Sequence, residues 1–176
     1  MKDLFLDIKD AITKEAQHLA RVEKEFERLV EELAAREDER KALEQALTEK
    51  ETAALEVARR LTELRHELNE LRAKLKKNRL ALERAGSPRE YEALMETRRR
   101  LLERRDALEK ALEELRAKAD ELAFKEFELT SKLREVEREI QRIRDRLAVL
   151  LKELKHHAEE VARRIERFAQ AYRLSL

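Results

Sequence analysis

The sequence predicts an all-α fold: one long antiparallel two-helix coiled-coil hairpin, a single domain over residues 1–176. Three observations predict it. Apolar residues recur at alternating three-four spacing through both halves of the chain. The only Gly and the only Pro stand almost together, at Gly86-Ser87-Pro88 near the middle. Charged residues make up 46% of the chain, with acids and bases almost balanced. That is the composition of long solvated helices, whereas a disordered tail lacks regular Leu spacing and usually carries a large net charge.

The first helix is expected over about residues 3–85. Leu19, Phe26, Leu33, Leu47, Leu61, Leu68, Leu75 and Leu82 fall on one heptad position, with Arg40 and Ala54 filling the gaps. Val22, Leu29, Leu43, Val57, Leu64, Leu71 and Ala85 fall on the companion position, with Arg36, Lys50 and Asn78 as polar exceptions. Together they form the a/d seam of a left-handed coiled coil.

The turn is expected at 86–88. Gly86 suits the left-handed conformation that commonly ends a helix. Ser87 can accept from first-turn amides, Pro88 suits the first helical position, and Glu90 completes a capping box. The second helix is then expected over about 88–173. Its seam is Leu94, Leu101, Leu108, Leu115, Leu122, Leu129, Val136, Ile143 and Leu150, with Leu112, Ala119, Leu133, Ile140, Leu147 and Leu154 in the companion row.

Register follows from the turn. Residue i lies across from residue 176 minus i, so Leu68 meets Leu108 and Lys50 meets Glu126. An unpaired charge in a seam is costly, so the Lys50–Glu126 pair reads as a register lock. From Leu150 on, Leu154, Ala158, Val161, Ile165, Phe168 and Tyr172 show a four-four-three spacing, which locally unwinds a supercoil. At this open end Leu4, Phe5, Ile8 and Ile12 are expected to meet Val161, Ile165, Phe168 and Tyr172. Two helices cannot bury rings on every side, so these eight residues are the candidate contact for a homodimer.

Function classes are mostly excluded rather than selected. No apolar run approaches the roughly 20 residues that span a bilayer, and the N-terminus lacks a signal-peptide profile. There is no Cys, hence no disulfide framework and no thiolate metal site. These features place the chain in the cytoplasm. Catalysis needs convergent groups in a concave site, and a two-helix seam offers none, so no catalytic residue, metal or cofactor is expected. Glu15/His18, Glu63/His66 and Glu153/His156 have the Glu-x-x-His spacing of carboxylate-bridged metal sites, but no inward cluster of Glu accompanies them.

Charge is distributed unevenly. From Arg72 to Arg105 there are twelve basic residues against five acidic ones, a net of +7, which leaves the remainder at −6 within a chain total of +1. Lys76, Lys77, Arg79, Arg84, Arg89, Arg98, Arg99, Arg100, Arg104 and Arg105 therefore form a candidate binding tip for an acidic protein or for phosphates. Tyr91 is the only aromatic near it, a poor supply for base stacking.

The stretch from Leu71 to Leu115 resembles the coiled-coil half of the bacterial C4-type zinc-ribbon proteins with a helical hairpin. That family carries an (N/K/T)-x-(R/K)-E-Y-x-A-L signature just after the turn, where this chain has Ser87-Pro88-Arg89-Glu90-Tyr91-Glu92-Ala93-Leu94. The segment Phe168-Ala169-Gln170-Ala171-Tyr172-Arg173-Leu174 is similar to the one leading into their ribbon. The family's ribbon holds zinc with four Cys, and this chain has none. The resemblance thus implies the hairpin without its metal site: a non-enzymatic scaffold or adaptor that binds a protein partner, as family members bind regulatory proteins such as a sigma factor. Two alternatives stand beside it. One is a nucleic-acid-binding arm whose basic tip contacts RNA or DNA, like the helical arm of a seryl-tRNA synthetase. The other is a membrane-associated helical protein resembling phage-shock protein A.

Overall fold

The computed structural model describes residues 2–175. They form two long helices, α1 (Lys2–Glu83) and α2 (Pro88–Ala171), packed antiparallel as a helical hairpin. Both helices end within two residues of the boundaries expected from sequence. Contacts divide the hairpin into two units, each built from a stretch of both helices. One holds Glu44–Ser131; the other holds the residues up to Leu43 and from Lys132 on.

In the unit Glu44–Ser131, Leu64, Leu68, Leu71, Leu108 and Leu112 form one buried cluster, with Leu61, Leu101, Ala111 and Leu115 packed on it. Leu68 and Leu108 share a cluster, as the register requires. Cross-helix contacts join residues whose numbers add to 171 (Glu67–Arg104) and 172 (Asn78–Leu94), a few residues from the 176 of the simple mirror rule. Side chains of adjacent layers interlock rather than meet head on, which accounts for the offset. The Lys50–Glu126 lock is not made: no ion pair joins them among the described residues. Lys50 instead acts electrostatically on Glu121, whose own ion pair is with Lys125 at 2.8 Å. Lys50 stays half-buried at its seam position, and its long flexible stem does not hold the ammonium against the one carboxylate opposite.

The turn corrects another expectation. Gly86 does not have positive φ. Instead α1 tightens into i→i−3 bonds, with the Arg84 N–H donating to the Ala81 carbonyl (3.1 Å) and the Ala85 N–H to that of Leu82 (3.4 Å). Orphan carbonyls are thus used without a left-handed residue. The start of α2 is capped as predicted: Ser87 Oγ accepts from the Glu90 N–H (3.2 Å), and the Tyr91 N–H reaches the Ser87 carbonyl (3.0 Å). Glu90 Oε2 reaches back to accept from the Gly86 N–H (3.2 Å), one residue before the usual capping-box donor.

In the other unit, Val22, Leu29, Ile143 and Leu150 form the core, joined by Leu33, Leu147 and Leu154. Leu150 is the most deeply buried residue, at 1% exposure. The inward positions of α1 run Ile8, Ala11, Glu15, His18, Val22, Glu25, Leu29, Leu33 and Arg36. Two successive four-residue steps, Glu25 to Leu29 to Leu33, shift the row by one residue. Leu19 and Phe26, expected in the seam, are exposed, and His18 and Glu25 face inward instead. A nearly straight helix drifts about 20° per heptad, and one four-residue stutter absorbs that drift. On α2 the four-four-three break does not occur. Leu150, Leu154, His157, Val161, Arg164 and Phe168 keep strict three-four spacing, and Ala158 and Ile165 point outward. The helix closes with the Leu174 N–H on the Ala169 carbonyl (2.8 Å) and the Arg173 N–H on that of Gln170 (3.2 Å), with Arg173 at φ 52°. This is a Schellman cap with a non-Gly residue in the left-handed position.

The turn geometry yields a prediction. A Cβ added to Gly86 would lie 3.8 Å from the Glu90 carboxylate, an ordinary contact, and φ is permissive. Gly86→Ala should therefore hold or raise stability by about 0.4–1 kcal/mol through lost unfolded-state freedom. Ser87→Ala should cost about 0.5–2 kcal/mol, the usual loss of a cap. Thermal unfolding followed by circular dichroism checks both; a fall for Gly86→Ala as large as that for Ser87→Ala would mean that the turn needs glycine.

Candidate functional site

The ten basic residues of the tip divide into two groups. Those on α2 are largely occupied within the chain. Arg99 is held between Glu96 and Glu103, each at 2.6 Å, and these carboxylates, Glu96 first, raise its guanidinium above the ordinary value. The same hydrogen bond from Arg99 lowers the Glu96 carboxyl. Arg100 also leans on Glu96 (3.4 Å), Arg104 reaches across to Glu67 on α1 (3.3 Å), and Arg105 pairs with Asp106 (3.2 Å). Exposed pairs of this kind add little stability, but they spend the cations locally.

Arg98 does not stand in the open with the others. It occupies a seam position between Leu94 and Leu101 and is half-buried. Buried Asn78 lies near it in register, and its Nδ2 donates to the Leu94 carbonyl at 3.0 Å. Asn78 Oδ1 and Arg98 Nη1 are both buried without a hydrogen-bond partner. The sequence expectation that Arg98 belongs to an open cluster is thus corrected: its heptad position sends it inward.

The cations of α1, of the turn and of the first turn of α2 are different. Lys76, Lys77, Arg79, Arg84 and Arg89 are exposed and make no ion pair with any described residue. Beside them runs an apolar stripe on α2. Tyr91, Met95 and Leu102 line a shallow depression edged by Arg98 and Arg99. Leu102 and Arg98 also border a second depression with Leu75, Lys76 and Arg79, and Tyr91 borders a third at Leu82 and Pro88. Unpaired Lys76 and Arg79 therefore adjoin the stripe through Leu102. Tyr91 and Met95 are exposed, and no described residue covers them.

At the open end the eight candidate contact residues separate. Ile8, Val161 and Phe168 turn half inward, and Tyr172 stacks on Phe168 with ring centroids 4.5 Å apart. Leu4, Phe5, Ile12 and Ile165 remain exposed. The His18 and His157 rings meet in the seam with centroids 4.1 Å apart and planes tilted by 42°, and His157 Nδ1 lies 3.6 Å from Glu15. The expected seam row through Leu19 leaves His18 off the seam; the stutter brings His18 in. Among the described residues, no group of three or more His, Asp or Glu is arranged to hold a metal. Two outward rings were missed: Phe124 and Phe127 are 62% and 70% exposed, three residues apart on α2. Their positions off the Leu122–Leu129 row were the available signal.

Comparison with protein-family models, curated proteins and solved structures finds no match for this chain. No helix among the described residues is long and apolar enough to cross a membrane.

The Asn78 geometry yields the second prediction. Asn78→Leu removes a buried carbonyl oxygen that has no partner and adds apolar burial, at the loss of one hydrogen bond. Stability should rise by about 1–3 kcal/mol. A fall in Tm would mean that Oδ1 is satisfied, with the Arg98 guanidinium as its partner.

Proposed function

We propose that the chain is a non-enzymatic adaptor that binds an acidic, amphipathic protein segment at its hairpin tip, in keeping with its resemblance to the zinc-ribbon hairpin proteins. The observation that carries this reading is the adjacency of unpaired Lys76 and Arg79 to a stripe of exposed Tyr91 and Met95 and half-buried Leu102. A partner helix with an apolar face and acidic flanks fills both: the face covers the stripe, and the flanks meet the cations. A nucleic acid would use the cations but leave Met95 and Leu102 without a role, and a single tyrosine offers one stacking platform at most.

The test uses a synthetic amphipathic helix of Glu and Leu, with single-stranded RNA as the rival probe, followed by fluorescence anisotropy across a salt series. The parent should bind the peptide. The triple change Lys76→Glu, Lys77→Glu, Arg79→Glu should weaken it by at least about tenfold, because rim charges become repulsive. Met95→Ser should also weaken it. Arg99→Glu with Arg100→Glu should matter less, roughly threefold or below, because those cations are already paired. RNA binding that falls with the triple change but ignores Met95→Ser would transfer the site to nucleic acid.

A further inference from the structure

In the unit formed by the two open arms, the flanks of the hairpin differ in chemistry. One flank carries cross-helix ion pairs: Asp7–Arg164 (3.9 Å), Glu25–Arg146 (2.9 Å) and Arg36–Glu139 (2.8 Å). Each of these includes a residue immediately before an inward position. The other flank is made of residues immediately after inward positions. Among the described residues its one cross-helix ion pair is Glu37–Arg144 at 3.1 Å, which shows that such positions on the two helices meet on the same side.

That second flank is apolar over about three heptads. On α1 it carries Phe5, Ile12, Leu19 and Phe26, each seven residues from the next and 36–59% exposed. Glu37 lies eleven residues further, three turns of helix, and so on the same face. On α2 it carries Leu151, Ala158 and Ile165, again spaced by seven, with Arg144 one heptad before Leu151. All three are exposed. The strip from Phe5 to Phe26 is about 32 Å long, and two helices wide it offers roughly 600 Å². Two such strips face to face bury about 1,200 Å², the threshold of a specific interface.

The strip is complementary to itself. Read along α1, the outward row is Phe5, Lys9, Ile12, Ala16, Leu19, Glu23 and Phe26. Reversed about Ala16, Phe meets Phe, Ile meets Leu, Lys9 meets Glu23, and Ala meets Ala. The α2 row has the same symmetry, with Leu151 and Ile165 seven residues on either side of Ala158. The two centres share one level: Glu15, before Ala16, contacts His157, before Ala158. Lys9 and Glu23 are exposed, and neither is in an ion pair within the described residues. A row with this palindrome of size and this antisymmetry of charge fits its own copy turned end for end, the requirement of an isologous interface.

We infer that this flank binds a second copy of the chain, antiparallel to the first about a two-fold axis at Ala16 and Ala158, so that four helices pack in place of two. The inference does not depend on the proposed role of the tip, whose residues lie in the other unit.

The test is sedimentation of the intact chain at roughly 50 µM, far above the Kd that an interface of this area commonly supports. The parent should be dimeric. Lys9→Glu alone and Glu23→Lys alone should each weaken the dimer, by juxtaposing like charges, and the double swap should restore it. The chain has no Cys, so Ala16→Cys under mild oxidation should give a disulfide-linked dimer, while Thr62→Cys in the other unit should not. Helicity by circular dichroism should be unchanged in all of these variants. A monomeric parent overturns the inference, and so does a dimer that neither charge change weakens or that the double swap fails to restore. Equal cross-linking through Thr62→Cys would also overturn it.

Discussion

Two helices packed side by side can each bury only one stripe of side chains, and everything else in this hairpin follows from that limit. A globular core removes a residue from water on all sides. Here even seam residues such as Leu47, Leu75 and Leu133 are only half-buried. The driving force for packing is therefore spread thinly over many layers. It is concentrated at two places, the cluster around Leu64 and Leu108 and the cluster around Leu29 and Leu150. Between and beyond them the seam admits Arg36, Lys50, Asn78, Arg98 and Glu126 at positions where a thicker fold would demand Leu. Such residues add little to stability. They make wrong registers costly, since sliding a helix would set them against apolar neighbours.

The same limit explains how the tip differs from its charge count. Ten cations look equivalent in sequence, but a helix distributes them by angle. Arg98 turns into the seam, and Arg99 is claimed by Glu96 and Glu103 on its own helix at the three- and four-residue spacings that make helical neighbours. On α1 no acid stands three or four residues from Lys76, Lys77 or Arg79 except Glu83, four residues beyond Arg79, and no ion pair forms there. Of the charges left over, Arg84 follows directly on the end of α1, where a helix presents its negative pole and cations are favourable, while the last turn of α1 itself holds no basic residue. Arg84 therefore has a local electrostatic role, and Lys76 and Arg79 differ from it in adjoining the apolar stripe.

Much of the fold was legible because its signals are local and repeated. The three-four spacing of Leu61, Leu64, Leu68 and Leu71 allows one inward face, and Ser87-Pro88 with Glu90 allows one start for α2. Legibility failed where two rows compete. Around residues 18–26 the apolar row Leu19 and Phe26 and the polar row His18 and Glu25 are equally consistent with Val22 and Leu29 between them. Hydrophobicity chose the first; the accumulated drift of a helix against a seven-residue repeat chose the second. Gly86 illustrates a different failure. Glycine permits a left-handed turn without requiring one, and the i→i−3 bonds at Arg84 and Ala85 closed the helix by another route. At the tip, the charge was visible but its pairing was not, because pairing depends on side-chain reach across a register known only to within a layer.

The stutter has an energetic consequence for the open arms. It sets Glu15, His18 and Glu25 inward on α1, opposite a row that includes His157 and Arg164 on α2, and it sets Ile12, Leu19 and Phe26 outward. The chemistry of that stretch is inverted relative to the rest of the hairpin: polar groups occupy the seam while large apolar groups line a flank. His18 Nε2 is buried there with no hydrogen-bond partner, and the neighbouring ring is another imidazole. An isolated pair of arms gains little from such a seam and leaves Phe5 and Phe26 in water. Covering the flank changes the balance, because the apolar surface then lies at the centre of four helices and the polar seam positions move toward its edge. A four-helix arrangement would recover at this end the burial that two helices cannot supply.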